Sequence, residues 1–263
     1  MVKGGVVNKR IRVMTVAMGM VVGGVVVGMG AAQAAIFGGV DAGALWESNF
    51  TGATGGLAAQ SVLMGVYSGY VGAYKGFDKN RGAFVVSANL QANRLRRFTV
   101  LDNDVFGGSV GVFHDLGQNA SMLATVGGEA VRFSNSARDL ATYMARLHFK
   151  EGSQTLWVGE TGEYDDARGQ ENFSTYRGYS ATLAVNWKPI TSDVITLSAA
   201  RAHDRYNIPT ASIRTSDAGS LGWLQELGHG IYVRAQASRE YVTVAGGPGF
   251  HTTIYAAGLG ATF

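Results

Sequence analysis

Three features of the sequence predict an all-β chain closed into a transmembrane, antiparallel, up-and-down barrel of about twelve strands, with ten to fourteen strands the range its segments allow. Segments of roughly ten residues alternate apolar and polar side chains, the period of a strand. Aromatic residues sit at the two ends of the apolar faces rather than at their centres. The connections alternate between short and long, as in a barrel with tight turns on one side of a membrane and loops on the other.

The first 34 residues stand apart from this pattern. Lys3, Lys9, Arg10 and Arg12 form a positive front, Val13 to Gly30 carry no charge, and Ala32-Gln33-Ala34 is a small-x-small cleavage site ahead of Ala35. The expectation is an export signal over residues 1–34, cleaved after Ala34, and a single barrel domain over 35–263. An uncleaved membrane anchor is the alternative, and the lack of a basic stop after the apolar run speaks against it. Without this segment the chain holds 18 Lys plus Arg against 19 Asp plus Glu, a net charge of −1, so the sequence pI of about 9.1 belongs largely to the leader. That subtraction removes the electrostatic footprint of a nucleic-acid binder. With no Cys there is no disulfide framework, thiolate metal site or thiol nucleophile. Beyond the leader no apolar run approaches the ~20 residues a membrane helix needs.

Strands are expected near 40 to 50, 62 to 76, 82 to 93, 106 to 115, 120 to 132, 138 to 149, 153 to 161, 176 to 188, 193 to 204, 213 to 226, 230 to 241 and 252 to 263. The first is the weakest, because VDAGALWESNF carries Asp41 and Glu47 and little alternation. In the third, Phe84, Val86, Ala88 and Leu90 oppose Val85, Ser87, Asn89 and Gln91. In the sixth, Ala141, Tyr143, Ala145, Leu147 and Phe149 oppose Thr142, Met144, Arg146, His148 and Lys150. Tyr179, Ala181, Leu183, Val185 and Trp187 make the apolar face of the eighth, and Ile231, Val233, Ala235 and Ala237 that of the eleventh. Twelve is even, as single-chain bacterial barrels require.

Alternation alone fits a soluble sandwich as well as a membrane barrel. The aromatics decide between them. Tyr143 and Phe149, Tyr179 and Trp187, and Tyr255 and Phe263 bracket the apolar faces of their strands. Eight residues at ~3.3 Å rise and ~40° tilt cover about 20 Å of membrane normal, close to the ~25 Å band between aromatic girdles. A sandwich core would bury its largest groups centrally. The connections agree: 77 to 81, 114 to 119, 150 to 153, 188 to 192 and 226 to 230 are short, while 94 to 105, 162 to 175, 205 to 212 and 242 to 250 are longer, with 133 to 138 the shortest of that set.

The last strand, YAAGLGATF, must pair with the first and match the girdle. Its outward set Tyr255, Leu259 and Phe263, ending on an aromatic carboxy terminus, resembles the signal read by the barrel assembly machinery of Gram-negative bacteria. The expected location is therefore the bacterial outer membrane, with outer-membrane lipids and lipopolysaccharide as surroundings.

Several stretches resemble the β-barrel porin 2 family of bacterial outer-membrane proteins. YSATLAVNWKPITSDVITLSAARA, residues 179 to 202, is similar to paired strands of that family, with a Trp-x-Pro turn and a Thr-Leu-Ser-Ala strand ending in Arg. WESNFTG at 46 to 52 and GLGATF at 258 to 263 are similar to its early acidic-Asn-aromatic stretch and its last strand. The resemblance implies a porin-like channel or an accessory role in exopolysaccharide export, and it supplies no catalytic residues or cofactor.

The polar faces supply the candidate site. Arg146, His148 and Lys150 on one strand, Arg234, Gln236 and Glu240 on another, and Glu129 are expected to line the lumen. Bases outnumber acids in that set, so the expectation is a mild preference for small anionic solutes. A sealed structural or adhesion barrel filled by Arg–Glu pairs is the second reading of the same residues. ETGEYDDARGQEN, 160 to 172, is read as a solvated acidic loop, since Asp165, Asp166 and Glu171 lack the ligand spacing of a calcium loop. NRLRR at 93 to 97 offers arginines to lipopolysaccharide phosphates. An outer-membrane lipid hydrolase needs a Ser–His pair. None is spelled out locally, although His203 and His251 lie toward the loop side. No metal site or cofactor is expected.

Overall fold

The computed structural model of the protein describes residues 34–52, 59–78, 81–117, 119–170, 175–207, 213–245 and 247–263. Residues 1–33 of the expected leader, with Ala32 of its cleavage site, lie outside them. Twelve strands follow in order: β1 Ala35–Glu47, β2 Val62–Phe77, β3 Gly82–Leu95, β4 Asn103–Gly117, β5 Ala120–Phe133, β6 Leu140–Gly152, β7 Leu156–Gly169, β8 Tyr176–Trp187, β9 Asp193–Tyr206, β10 Ile213–Gly228, β11 Ile231–Val244 and β12 Phe250–Thr262. Each pairs antiparallel with the next, and β12 pairs with β1, closing the barrel. Closure satisfies the backbone polar groups of every strand and leaves no edge.

The seam forms where the sequence pattern asks for it. Gly39 to Glu47 register with Thr262 to Ile254, and Gly38 and Phe263 exchange two backbone hydrogen bonds of 3.0 Å. Residue 38 has to be glycine here, because a Cβ would stand 2.6 Å from the Phe263 ring. At the other extreme of connection length, His229 and Gly230 join β10 to β11 with φ of 54° and 76°. Two successive positive φ values give the twist that a two-residue hairpin needs.

Two expectations about elements change. β1 begins at Ala35, not near residue 40, and its charges do not weaken it: Asp41 and Glu47 point inward, while Ile36, Val40, Ala42, Ala44 and Trp46 point outward. β7 runs on to Gly169, so most of the expected acidic loop is strand. The same period-2 logic holds through it, with Tyr164, Asp166 and Arg168 outward and Glu163, Asp165 and Ala167 inward. The alternation of short and long connections stands, the β1–β2 connection being the longest.

The outside is apolar and the inside polar, the inverse of a water-soluble fold. Val40, Val71, Val86, Leu90, Val110, Val126, Leu147, Leu183, Leu197 and Leu221 are all exposed, Leu197 at 62%. An exposed aliphatic band of that extent is built to face hydrocarbon. Toward the loop ends it is bordered by Trp46, Tyr67, Phe106, Tyr143, Tyr164, Tyr179 and Tyr255, and toward the turn ends by Phe84, Phe149, Trp187, Trp223 and Phe263. Trp46 stacks on Tyr255 with ring centroids 5.7 Å apart, tying the girdle across the seam.

Candidate functional site

The inward faces carry two ion-pair groups on opposite walls. On one wall, Arg234 of β11 reaches across β12 to Asp41 of β1, donating from Nε to Oδ2 at 2.9 Å and from Nη2 to Oδ1 at 2.5 Å; Tyr232 donates to the same carboxylate at 3.3 Å. Arg234 crosses β12 at Gly258, where a Cβ would approach its Nε to 3.3 Å, so the bare strand is what lets the guanidinium through. On the facing wall Arg146 of β6 sits in register with Glu163 of β7 and donates from Nε at 2.6 Å. In a ring of twelve, β6 and β12 lie across from each other, so the two groups project toward one another.

Below the second group, His148 shares a hydrogen bond of 2.8 Å with Thr161, and the Lys150 ammonium lies 4.9 Å over the Trp157 ring. Toward the loop end, Arg214 donates to Glu240 at 3.4 Å and Thr252 donates to Glu47 at 3.2 Å. Glu129 and Gln236 also face inward on β5 and β11. The expected lumen residues Arg146, His148, Lys150, Arg234, Gln236, Glu129 and Glu240 therefore all lie on inward faces.

The expected excess of inward bases is overturned. Among the described strand residues, Asp41, Glu47, Glu163, Asp165 and Asp204 join Glu129 and Glu240 inside, against Arg146, Lys150, Arg214 and Arg234. Arg146 and Arg234 each carry a carboxylate partner, so neither presents a free positive charge. Parity finds the bases and misses these acids, because charge reads as a weak strand at Asp41 and as loop at Glu163 and Asp165.

Much of the remaining wall is small and polar. β8 to β10 present Ser180, Thr182, Ala184, Ser198, Ala200, Ala202, Ala218, Ser220 and Gly222 inward, with Ser198 and Ser220 joined at 2.6 Å. β3 and β4 present Ser87, Asn89, Ser109 and Gly107, with Ser87 and Ser109 joined at 2.9 Å. Two sectors depart from this. In one, Phe37 of β1 and Tyr70 of β2 face inward with ring centroids 6.4 Å apart, and Phe113 is buried on the inner face of β4. In the other, at the loop ends of β1 to β3, Leu45, Val62, Met64, Val66 and Leu95 are buried inside the mouth with Phe50, and Phe98, Leu101, Ile254 and Ala256 pack against them. Phe50 and Phe98 stack with centroids 5.5 Å apart. Sequence reading missed this cluster, which inverts the inside-polar rule over the last turn of the wall; the signal was there in Val62, Met64 and Val66, an apolar set at alternate positions.

Other expected features separate. Asp165 and Asp166 point to opposite faces of β7, with Asp166 within 3.6 Å of Arg168 and 3.5 Å of Arg177, so they form neither a solvated loop nor a common ligand set; Glu171 lies outside the described residues. In the 93 to 97 stretch, Asn93 and Leu95 are buried inward while Arg94 pairs outward with Asp104 at 2.6 Å. His203 and His251 are on the outer face, away from the lumen, His203 stacked on Tyr179 at 5.1 Å and His251 tilted against Tyr241 at 4.6 Å.

No protein-family model and no curated protein sequence matches the chain. Solved structures do match. The COG4313 outer membrane channel from Pseudomonas putida F1 superposes with a TM-score of 0.65 at 10% identity, covering 89% of this chain and 98% of that one. The KdgM porin in complex with disordered oligogalacturonate gives 0.50 at 11% identity, covering 86% and 99%. The fold is that of an outer-membrane β-barrel. At such identities the likeness is one of architecture, and what the barrel does has to come from its own walls.

Proposed function

We propose that the protein is a porin-like passive channel of the bacterial outer membrane, with a narrow, hydrated lumen and a mild preference for cations. The observation that carries this is the small inward wall of β8 to β10. Twelve strands spaced ~4.8 Å and tilted ~40° close on a backbone circle about 24 Å across. Ser, Thr, Ala and Gly are too short to fill that width, whereas a sealed barrel needs large side chains meeting at its axis. The opposed ion pairs narrow the lumen along one diameter, and the small walls leave space along the other. Inward acids in excess of inward bases favour cations, because charge in a narrow, low-dielectric passage acts more strongly than on an open surface.

The finer assignment, to the β-barrel porin 2 family and through it to exopolysaccharide export, rests on the segments 46 to 52, 179 to 202 and 258 to 263 quoted above. Export by a leader cleaved after Ala34 and insertion by the barrel assembly machinery belong to the same proposal. A lipid hydrolase finds little support, since the outward loop-side histidines have other partners among the described residues: His203 shares a hydrogen bond of 3.2 Å with Thr215 and His251 packs against Tyr241.

Single-channel recording on the purified protein in a planar bilayer tests the central reading. Stepwise conductance with a reversal potential of cation sign in a salt gradient is expected. Silence in repeated insertions of heat-modifiable protein would favour the sealed barrel, and anion-sign reversal would remove the acidic lumen from the selectivity.

A further inference from the structure

Arginines crowd one sector of the outer face at its loop end. Across β6 to β9 a single register row runs Tyr143, Asp166, Arg177, Arg205, so two guanidinium-bearing residues stand directly opposite each other on β8 and β9. Arg168 adds a third, one outward position further toward the loop end of β7, with its guanidinium carbon 5.9 Å from the centroid of the Tyr143 ring. The next outward row toward the turn ends holds Tyr164 and Tyr179 of the girdle, with His203 stacked on Tyr179. The arginines therefore sit just beyond the aromatic level, which marks the depth of lipid headgroups.

Their charge is not balanced within the sector. Arg168 and Arg177 share one carboxylate, Asp166, at 3.6 and 3.5 Å, and remain 66% and 70% exposed. Those contacts are longer than the ~2.7–2.9 Å of a closed guanidinium–carboxylate pair, so neither fork is closed on the acid. Arg205 is exposed, and among the described residues no carboxylate pairs with it. Its other register neighbour is the apolar Ile213 of β10. Three bases against one acid leave the sector positive, and like charges directly opposite across a strand pair destabilise a sheet. A cross-strand Arg–Arg pair at this level has a physical reason when an anion lies between its two members.

We propose that Arg168, Arg177 and Arg205 form a phosphate site for a lipid of the loop-side leaflet, lipopolysaccharide being the phosphorylated lipid expected around this barrel. The phosphate lies between Arg177 and Arg205, whose Cα atoms are about 5 Å apart as direct cross-strand partners. Arg168, a diagonal neighbour about 7–8 Å from Arg177, closes on it from a third side. Guanidinium forks match phosphate oxygens with paired hydrogen bonds, and a phosphate offers more acceptor oxygens than the Asp166 carboxylate that competes for them. Below the girdle tyrosines the outer face of β8 continues as Ala181, Leu183 and Val185, along which the acyl chains run. A lipid fits this site better than free phosphate, because the arginines stand directly above a hydrocarbon-facing surface. The proposal uses only the outer-membrane placement and the outward facing of these residues; a barrel that conducts nothing would still bind the lipid.

The test is native mass spectrometry of the folded protein in mild detergent, titrated with bisphosphorylated lipid A, with its dephosphorylated form and with inorganic phosphate. Retention of lipid A is expected, with little retention of the other two. Arg177→Gln combined with Arg205→Gln should weaken lipid A binding at least about tenfold, as loss of charge-assisted hydrogen bonds predicts. Arg239→Gln, which removes an exposed outward arginine of β11 away from the sector, should change it less than about twofold, since salt screens distant surface charge. Heat-modifiable mobility supplies a second readout. Without lipid, the unfolding temperature of Arg205→Gln should equal or exceed that of the wild type, because the like-charge pair is gone, while the rise that lipid A produces in the wild type should be lost. This single variant keeps the test decisive if the double variant assembles poorly. Equal binding by the double variant and the wild type, or equal retention of the dephosphorylated lipid, would overturn the proposal. An equal loss on Arg239→Gln would overturn it too, by making the attraction a diffuse one, and so would inorganic phosphate retained as strongly as lipid A, which would make the site one for a soluble anion. Dimers or trimers that dissociate on Arg205→Gln would replace the lipid by a contact between copies.

Discussion

At the scale of single residues, the lumen shows why a charge read from sequence differs from a charge presented to a solute. Arg146 was legible as inward from the period of β6, yet its partner Glu163 was not, because acids in a polar stretch look like loop until the strand is seen to continue. With both in place the pair is nearly neutral, and each substitution has a definite sign. Arg146→Gln should increase cation over anion permeability by exposing Glu163, and Glu163→Gln should decrease it; reversal potentials in a KCl gradient measure both. Either change also leaves a half-buried polar group without its partner, at about 1–3 kcal/mol of stability in a urea titration. A second residue breaks the face rule in the other direction. Glu160 is exposed on the outer face of β7, in register with Phe149 and Leu183. A carboxylate there faces lipid, so Glu160→Leu should stabilise the barrel, by about 1 kcal/mol or more, given the smaller penalties acids carry on a lipid face compared with Arg or Lys. Unchanged or lower stability would show that Glu160 has a partner outside the chain.

At the scale of elements, eleven of the strands follow from alternation, ten of them with ends displaced by a few residues and β7 cut short by eight at its loop end. The acids at 163, 165 and 166 read as loop and end the expected β7 too early, whereas β1 is expected through Asp41 and Glu47 and is only placed late, from 40 instead of 35. In a membrane barrel charge belongs inside, so an acid at an inward position continues a strand. The mouth cluster around Met64 is only half legible: Val62, Met64 and Val66 show an inward apolar set, but their partners Phe50 and Phe98 lie in connections, and no periodicity predicts which loop side chains fold back into a lumen. The last strand was read with most certainty, since its alternation, its aromatic end and the need for closure agree. Its consequence is a test of assembly. Deleting Phe263 removes the two hydrogen bonds to Gly38 and the ring that covers it. Export should proceed while the heat-modifiable, folded fraction in the outer membrane falls sharply. Gly38→Val, which drives a side chain into the same ring, should lower the stability of whatever barrel forms while leaving the terminal residue available for recognition.

At the scale of the whole molecule, the decisive property is whether water fills the space enclosed by β8 to β10, and the absence of cysteine makes it directly measurable. On β9, Ser198, Ala200 and Ala202 point inward while Leu197 and Ala199 point outward. A one-residue alternation of environments is a property of the closed wall alone, because in an unfolded or aggregated chain neighbouring residues are equivalent. Single substitutions Leu197→Cys, Ser198→Cys, Ala199→Cys, Ala200→Cys and Ala202→Cys, in protein reconstituted into vesicles, should therefore react with a charged, water-soluble thiol reagent in strict alternation. Inward positions should label and outward ones should not. The cationic form of the reagent should label the inward positions faster than the anionic form, since inward acids outnumber inward bases among the described strand residues. Labelling at Ala200→Cys should also reduce single-channel conductance, because the added group stands in the widest part of the cross-section. A barrel packed solid at its axis would leave all five positions unreactive. Equal reactivity at all five would mean that the register of β9 is not the one described. Reactivity inside without any loss of current would place the ion path elsewhere, against the facing wall of Ser87 and Ser109.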